Sequence, residues 1–259
     1  MNIIVCVKRV PFTQEVDLVI DESGKDVEKD MLAYVINEWD HYAIEEAVLL
    51  KEKLGGVVTA ITIGVEDDEE VLRKCLAMGA DKAIRIDPGD HDLDSFVISK
   101  ILAEVIKGLE YDLIMTGVQA DDDNNSMVGI MLAEHLGLPH AAVVNGLEPQ
   151  GGEATIKVEL EGGMDEISKI RLPALLSIQT GINEPRYVSI MGLRKARQKE
   201  LDVVSVDELG LSGDDLLRWT VIEAAFLPPE TEGAEIIAGD PATVAEKILG
   251  IISEKGGGR

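Results

Sequence analysis

Short apolar runs alternate with amphipathic segments through the first half of the chain. Four of the runs are rich in aliphatic residues, which is typical of strands buried on both faces of a parallel sheet. They span residues 2–10, 56–64, 83–87 and 111–117. Four other segments have helical periodicity, and they span residues 37–55, 67–83, 94–110 and 126–138. This alternation predicts an α/β fold, a doubly wound parallel sheet of Rossmann-like architecture with helices on both faces.

Capping residues mark the ends of the predicted helices, and a turn interrupts the chain before the first of them. Asn37 is expected to cap the N-terminus of the first helix and Gly55 its C-terminus. Asp94 or Ser95 is expected to cap the third helix. Residues 14–30 alternate in polarity and turn at DESGKD, which predicts a β-hairpin excursion after the first strand.

The pattern changes after about residue 139. Residues 140–180 predict a strand, a hairpin and a return strand, and residues 184–200 hold a basic, helix-like segment. Strand fragments, a turn at LPPETEG and a closing helix follow in residues 201–259, which have limited apolar content of their own. We therefore expect an α/β domain over residues 1–200 and an extended C-terminal arm that lies on a partner over residues 201–259.

Composition narrows the classes of partner. The 259 residues include 49 acidic and 24 basic side chains, and the net charge is −25. Such a charge argues against nucleic acid and anionic membranes as partners, and it serves either solubility or attraction to a basic protein. Aromatic residues make up only 3% of the chain, so the core is expected to be aliphatic. The sequence shows neither a signal peptide nor an apolar run of about 18 residues, so we expect a cytoplasmic chain without membrane insertion.

Several common catalytic and binding motifs are absent from the sequence. It has no GxGxxG loop, no GxxxxGK[ST] loop and no GxSxG elbow. The two cysteines form no CxxC pair, and the four histidines are scattered, so no metal site is predicted. Cys6 lies within an apolar run and is expected to be a small core residue. We therefore predict a chain that holds a ligand or cofactor without catalytic residues of its own.

The sequence GVQADDDNNSMVG, residues 117–129, places three carboxylates where a strand gives way to a helix. Ligands of doubly wound sheets bind at the carboxyl ends of strands, expected here at residues 7–9, 63–64 and 116–117. The N-terminus of the following helix favours phosphate, and short polar residues can cap it and orient the loop. The alternative is a solvated acidic helix cap without a ligand.

Five collinear motifs resemble those of the β subunit of electron-transfer flavoprotein. They are VKRV at 7–10, NEWDHYAIEEAVLLKE at 37–52, VLRKCLAMGADKAIRI at 71–86, GVQADDDNNSMVG at 117–129, and RLPALLSIQTGINEPRYVSIMGLRKARQKE at 171–200. The last of them, with NEPRY before a basic helix, is highly specific. Together they cover the chain from end to end.

The resemblance implies an adenine-nucleotide-binding fold and a heterodimer with an electron-transfer flavoprotein α subunit, which provides most contacts to a redox-active FAD. The β subunit would hold AMP, or a second FAD in electron-bifurcating types. Electrons would arrive from acyl-CoA or related dehydrogenases and leave to a quinone oxidoreductase or a ferredoxin system. The alternative from another functional class is a stand-alone nucleotide-sensing protein of the same fold.

The resemblance also implies a set of residues that bind the nucleotide. Asn124, Asn125, Ser126 and Val128 are expected to contact phosphate, while residues 121–123 shape the loop. The full set is Cys6, Asn37, Asp40, Ile63, Gly117, Gln119, Ala120, Asp121, Asp122, Asp123, Asn124, Asn125, Ser126, Met127 and Val128.

Three positions of the loop and one short motif bear on the choice of nucleotide. Met127 and Ser126 replace the family's usual Gln and Asn or Ala, so one polar contact is missing or replaced. Asp123 stands where the bifurcating type tends to have Gly, which favours AMP. The motif VPFT at 10–13 partly resembles VPDT of the bifurcating type, and the balance leans to AMP.

The segment after NEPRY is the expected docking loop for a partner dehydrogenase, residues 183–200. The resemblance makes Ile190 its apolar anchor, with Met191 beside it. The expected docking residues are Tyr187, Ile190, Met191, Arg194 and Arg197. The alternative is a solvated basic helix after a turn, in which Pro185 occupies the first helical turn and Asn183 caps it.

Overall fold

A nine-stranded sheet lies at the centre of the chain in the computed structural model, which describes residues 1–14, 16–30, 32–91, 93–211, 213–229, 233–234 and 236–256. The strands of the described residues, of which β2 and β3 lie outside this sheet, are β1 (Asn2–Cys6), β2 (Arg9–Phe12), β3 (Ala33–Ile36), β4 (Val57–Ile63), β5 (Lys82–Asp87), β6 (Leu113–Gly117), β7 (His140–Gln150), β8 (Glu153–Leu160), β9 (Met164–Arg171), β10 (Ala174–Ile178) and β11 (Asp202–Ser205). The helices are α1 (Glu38–Leu54), α2 (Glu69–Met78), α3 (Ser95–Lys107), α4 (Val128–Leu136), α5 (Ile190–Ala196) and α6 (Pro241–Gly256).

The order of strands in the sheet is β11-β5-β4-β1-β6-β10-β7-β8-β9. Neighbours from β11 to β7 are parallel, whereas β8 and β9 are antiparallel additions at one edge. This confirms the predicted doubly wound α/β fold. The chain runs outward from β1 through β4 to β5 and then returns to β6 on the other side of β1. The strand order therefore reverses between β1 and β6, where such folds bind ligands.

Apolar side chains on both faces of the sheet explain why its strands read as continuous apolar runs. In β1, Ile3 and Val5 belong to the core that packs against α1 and α2, whereas Ile4 packs against α3 and α4. Because side chains alternate along a strand, only a run that is apolar at every position can serve both layers.

The predicted excursion after the first strand is present. The apolar run at 2–10 divides into β1 and β2, and β2 pairs with β3 in a separate antiparallel ribbon. An isolated bridge between Ile20 and Val27 marks the turn of this excursion. The chain leaves the central sheet at residues 7 and 8, which places the backbone of Lys8 at the edge of the sheet rather than within it.

Helix ends follow the prediction in two cases and depart from it in a third. Gly55 lies at the C-terminal cap of α1 and donates its backbone N–H to the Lys51 carbonyl at 2.8 Å. Asp94 caps α3 by accepting the N–H groups of Phe96 and Val97. Asn37 occupies the N-cap position of α1, but its side chain makes no capping hydrogen bond.

The C-terminal segment is attached to the sheet and to α3. Strand β11, the start of the predicted arm, pairs in parallel with β5 at the edge of the sheet. Further along, the second carboxylate oxygen of Asp94 accepts the N–H groups of Trp219 and Thr220 at 2.8 and 3.0 Å and the Thr220 hydroxyl at 3.1 Å. Phe96 packs against Trp219 with ring centroids 4.9 Å apart and ring planes tilted by 42°.

Beyond this anchor the chain offers apolar side chains to solvent. The predicted closing helix is α6, and it has no buried residue. The predicted turn at 227–233 lies partly outside the described residues, which lack 230–232.

Within the described part of the chain, no helix has both the length and the apolar character needed to cross a membrane.

Candidate functional site

A cleft opens at the point where the strand order reverses, between the carboxyl ends of β1 and β6. Its walls surround about 780 Å³ of space, a figure that includes open solvent. The lining residues are Cys6, Val7, Lys8, Asn37, Asp40, Ile61, Thr62, Ile63, Leu93, Ile98, Leu102, Thr116, Gly117, Val118, Gln119, Ala120, Asp123, Asn125, Ser126, Met127, Val128 and Gly129.

Most residues predicted to bind a cofactor lie in this lining. The exceptions are Asp121, Asp122 and Asn124, which belong to the same loop but not to the lining. Sequence reasoning missed Lys8 as a site residue, although it placed the end of the first strand at the ligand edge. It also missed the apolar wall, whose residues were recognisable only as core positions of their helices and strands. That wall consists of Ile61, Leu93, Ile98 and Leu102.

Asp40, in the first turn of α1, joins the two strand ends that flank the cleft. Its Oδ2 accepts the backbone N–H of Lys8 at 2.8 Å, and its Oδ1 accepts that of Gly117 at 2.9 Å. Burial raises the pKa of Asp40 to about 7, and the two backbone hydrogen bonds offset only part of that effect. A Cβ at position 117 would lie 2.5 Å from Asp40 Oδ1, so this close approach requires glycine.

Asn37 connects α1 to the acidic loop instead of capping its own helix. Its Nδ2 donates to the Gln119 carbonyl at 2.7 Å, and its Oδ1 accepts the Asp121 N–H at 3.1 Å. The amide oxygen that a cap would use is therefore bound to loop backbone, which explains why Asn37 occupies the predicted N-cap position without forming a capping hydrogen bond. Asp121 in return accepts the Glu38 N–H at 3.3 Å, so the loop carboxylate takes over one unpaired donor of the helix.

Side chains within the acidic loop hold it in an unusual backbone conformation. Gln119 donates to Asn124 Oδ1 and accepts from the Ser126 hydroxyl, both at 3.1 Å. Asn124 and Ser126 have φ values of 51° and 54°, a region that asparagine tolerates better than serine. Such residues persist where surrounding contacts fix them, and they often cluster at ligand sites.

Lys8 and two loop carboxylates form an ion cluster at the mouth of the cleft. Lys8 Nζ lies 2.6 Å from Asp122 Oδ1 and 3.0 Å from Asp123 Oδ2. Burial lowers the pKa of Lys8, but the hydrogen bonds and charges of the two aspartates outweigh it and raise the pKa above its usual value. Two of the three consecutive carboxylates thus hold the one lysine that lines the cleft among the described residues.

Helix α4 begins at the cleft without a side-chain cap. It starts at Val128, two residues later than the periodicity predicts, because the positive φ of Ser126 is incompatible with a helix. Met127 takes the N-cap position and makes no side-chain capping bond among the described contacts. A Cβ on Gly129 would lie 2.6 Å from Thr116 Oγ1 and from Ser177 Oγ, so glycine lets α4 pack closely on the sheet.

This arrangement fits an anionic ligand with a flat apolar portion. The unpaired N–H groups of the first turn of α4 and the positive end of its dipole favour phosphate. Lys8 adds a cation at the mouth, and the aliphatic wall matches an aromatic ring system. Burial raises the pKa of Cys6 to about 12, so its thiol is protonated at neutral pH and packs as a small apolar side chain.

The predicted docking segment, residues 183–200, lies on the surface beside α1 and α2. Tyr187 is 89% exposed, Ile190 is 70% exposed, and Met191 is exposed as well. Arg194 and Arg197 are also exposed. The helix in this segment is α5, which is capped by the Ser189 hydroxyl rather than by Asn183.

Asn183 instead donates to the Tyr42 carbonyl and to Glu46 on α1, at 3.1 and 3.0 Å.

Among the described residues, no group of three or more His, Cys, Asp or Glu is placed to hold a metal ion.

Comparison with known proteins places these features in a family. The family model for the electron transfer flavoprotein domain matches residues 27–209. The chain is 40% identical to an electron transfer flavoprotein subunit beta of Methylophilus methylotrophus over 98% of each chain, and 38% identical to one of Bacillus subtilis over 97% of each. It is 31% identical to the caffeyl-CoA reductase-Etf complex subunit CarD of Acetobacterium woodii, over 98% of this chain and 99% of that one.

Proposed function

Because the chain belongs to the electron transfer flavoprotein family, and the relatives of Methylophilus methylotrophus and Bacillus subtilis that it matches over nearly their whole length are β subunits, we propose that it binds AMP in the cleft between β1 and β6. With an α subunit it encloses an FAD that the α subunit mainly holds. The complex accepts electrons from dehydrogenases such as acyl-CoA dehydrogenases. It passes them to a quinone oxidoreductase or a ferredoxin system.

The observation that carries the AMP proposal is the uncapped start of α4 in the wall of the cleft. The N–H groups of Val128 and Gly129 would bind the phosphate, and Lys8 would balance part of its charge. The aliphatic wall would contact the purine. AMP has no redox chemistry, so the residues of this cleft bind and orient a ligand, and the redox chemistry belongs to the FAD.

Asp123 favours AMP over a second FAD in this cleft. Its carboxylate lines the cleft and is held 3.0 Å from Lys8 Nζ. The side chain therefore occupies space at the mouth, where a dinucleotide would need room for its second half. A second FAD remains the alternative cofactor, and it would define a bifurcating complex.

The exposed apolar side chains of the C-terminal segment support a role in wrapping the α subunit. Trp219, Val221 and Phe226 are exposed, as are Leu249 and Ile252 of α6. Several exposed apolar side chains within one segment are typical of an interaction site. In a stand-alone nucleotide sensor the same side chains would stay in water, so the arm favours the heterodimer.

The segment at 183–200 is the proposed docking site for the dehydrogenase. Ile190 is the apolar anchor, flanked by Tyr187 and Met191, because buried apolar side chains dominate interface energies. Arg194 and Arg197 would mainly accelerate association with an acidic surface.

Identification of the bound nucleotides tests the proposal. The αβ complex is purified and denatured, and the released nucleotides are separated and quantified. The expected result is one FAD and one AMP per heterodimer. Two FAD without AMP would replace the AMP proposal by the bifurcating alternative. A stable single chain that releases a nucleotide but no flavin would support the sensor.

A further inference from the structure

Arg186 joins the start of the docking segment to two carboxylates of α1. Its Nε lies 3.0 Å from both carboxylate oxygens of Glu45, and its NH1 and NH2 lie 2.8 and 3.2 Å from those of Glu52. Its backbone N–H also donates to Glu45 Oε2 at 3.0 Å. Both the main chain and the side chain of residue 186 are thereby fixed on the helix.

Glu45 gives this contact its strength, because its carboxylate is removed from water. The residue is only 2% exposed, and a buried carboxylate requires a paired cation with good hydrogen-bond geometry. The hydrogen bonds that Arg186 donates to Glu52 and, next in effect, to Glu45 raise the pKa of Arg186 above its usual value. A planar guanidinium presents its N–H donors in a fixed fork, so it can bind a carboxylate through two parallel hydrogen bonds, which an ammonium group does not.

The far end of the docking segment is held in a second place, on α2. Lys199 Nζ donates to the carbonyls of Leu76 and Ala80, both at 3.0 Å, near the C-terminal end of that helix. Arg73 of α2 in turn donates to the carbonyls of Ala196 and Lys199 at 3.1 and 2.6 Å. The exposed side chains lie between these two attachments.

We propose that Arg186 is a positioning residue for dehydrogenase docking: its contacts with Glu45 and Glu52 hold the apolar tip at 187–191 in the conformation that the dehydrogenase binds. A loop that is already ordered loses less conformational entropy on binding. The contacts of Arg186 with Glu45 and Glu52, here called the clamp, therefore strengthen association. Because its guanidinium is bound to Glu45 and Glu52 of α1, Arg186 is expected to act through the anchor rather than by touching the partner. This inference rests on the docking role proposed for the segment.

Steady-state kinetics of the intact αβ complex provide the test. An acyl-CoA dehydrogenase with its acyl-CoA substrate serves as the electron donor, and the KM for the αβ complex is measured. Arg186→Met is expected to raise this KM about tenfold and to leave kcat and the FAD content unchanged. Glu104→Gln, which removes an exposed ion pair with Lys107 on α3, is the control and should change nothing. An unchanged KM in Arg186→Met would refute the positioning role.

A double-mutant cycle separates positioning from general stability. If Arg186 acts through the anchor, Arg186→Met combined with Ile190→Ala raises the KM no more than the worse of the two single changes. Multiplicative effects of the two changes would refute the proposal. If Ile190→Ala itself leaves the KM unchanged, the docking role of the whole segment is wrong. If Ile190→Ala acts and Arg186→Met does not, only the positioning role is wrong.

A second variant covers the case in which Arg186→Met fails to fold because Glu45 loses its cation. Glu52 is exposed, so Glu52→Gln loosens the clamp without leaving a buried charge unpaired. The expected result is a KM raised about two- to threefold at unchanged kcat and unchanged thermal midpoint. A KM equal to that of the unaltered complex would count against the clamp.

Discussion

Lys8 Nζ lies 2.6 Å from Asp122 Oδ1, although 114 positions separate the two residues in the sequence. The contact joins the end of β1 to the loop between β6 and α4, and it crosses the mouth of the proposed nucleotide site. The three consecutive aspartates thus divide between two roles. Asp121 accepts the first N–H of α1, whereas Asp122 and Asp123 both form ion pairs with Lys8.

Replacing Lys8 by Met should weaken AMP binding more than adenosine binding. A hydrogen bond to a charged group contributes about 1.5–3 kcal/mol, so we expect the affinity for AMP to fall about tenfold or more. Adenosine lacks the phosphate, and its affinity should change little. Calorimetric titration of the nucleotide-free αβ complex measures both ligands. Lys53→Met, at an exposed position of α1, is the control, and equal losses for AMP and adenosine would contradict a phosphate contact.

The buried carboxylate of Asp40 should give stability a distinctive pH dependence. Burial raises its pKa from 3.8 to about 7, so the folded chain binds this proton more tightly than the unfolded chain. The contribution of Asp40 is then fully present below about pH 4 and is lost as the pH rises to about 7. Relative to Asp40→Asn, the unaltered complex should lose stability over this interval in urea unfolding. Parallel curves for the two proteins would show that Asp40 does not titrate there.

Gly129 and Gly250 should respond in opposite ways to substitution by Ala. At Gly129 the new methyl group would lie 2.6 Å from two hydroxyl oxygens, and overpacking of this kind costs about 1–3 kcal/mol. At Gly250 in α6 no atom lies within 4 Å, and Ala is the better helix former, so no stability should be lost. Thermal unfolding of the complex and its AMP content provide the measurements. Retained stability and AMP in Gly129→Ala would contradict the close packing of α4.

Asp94 should hold the C-terminal segment on the body of the protein. Asp94→Ala removes three hydrogen bonds to Trp219 and Thr220 in addition to the cap of α3. We expect proteolysis within residues 213–229 to accelerate about tenfold, since roughly 1.4 kcal/mol corresponds to that factor. Asp240→Ala is the matched control, because Asp240 caps α6 through the N–H groups of Ala242 and Thr243 without contacting this segment. Similar cleavage rates in the two variants would show that capping alone matters.

Local patterns were sufficient to predict the central layers of the fold. A strand that must fill two apolar layers has to be apolar throughout, so the runs containing β1, β4, β5 and β6 could be recognised without other information. The ligand edge followed from the same alternation, since parallel strands end at one side of the sheet. The individual cofactor-site residues were instead implied by the family resemblance, and most of them line the cleft at that edge.

Contacts between distant parts of the chain explain what the sequence did not reveal. Asn37 has the residue type and position of a helix cap, but loop residues 119 and 121 use its amide group, and no local pattern predicts that competition. The edge strand β11 was assigned to an arm, because a strand of four residues shows its pairing only when β5 is placed beside it. The link between Lys8 and Asp122 was invisible for the same reason.

Helix α1 spans 17 residues, or about 25 Å at 1.5 Å per residue, and its two ends serve different neighbours. Asn37 and Asp40 at its start fix the walls of the cleft, while Glu45 and Glu52 further along fix Arg186. Residues 183–200 are therefore not expected to keep their conformation when they are transferred to another protein without α1. A chimera that exchanges this segment between relatives should carry the matching α1 with it, and it then also imports the residues that fix the walls of the proposed nucleotide site.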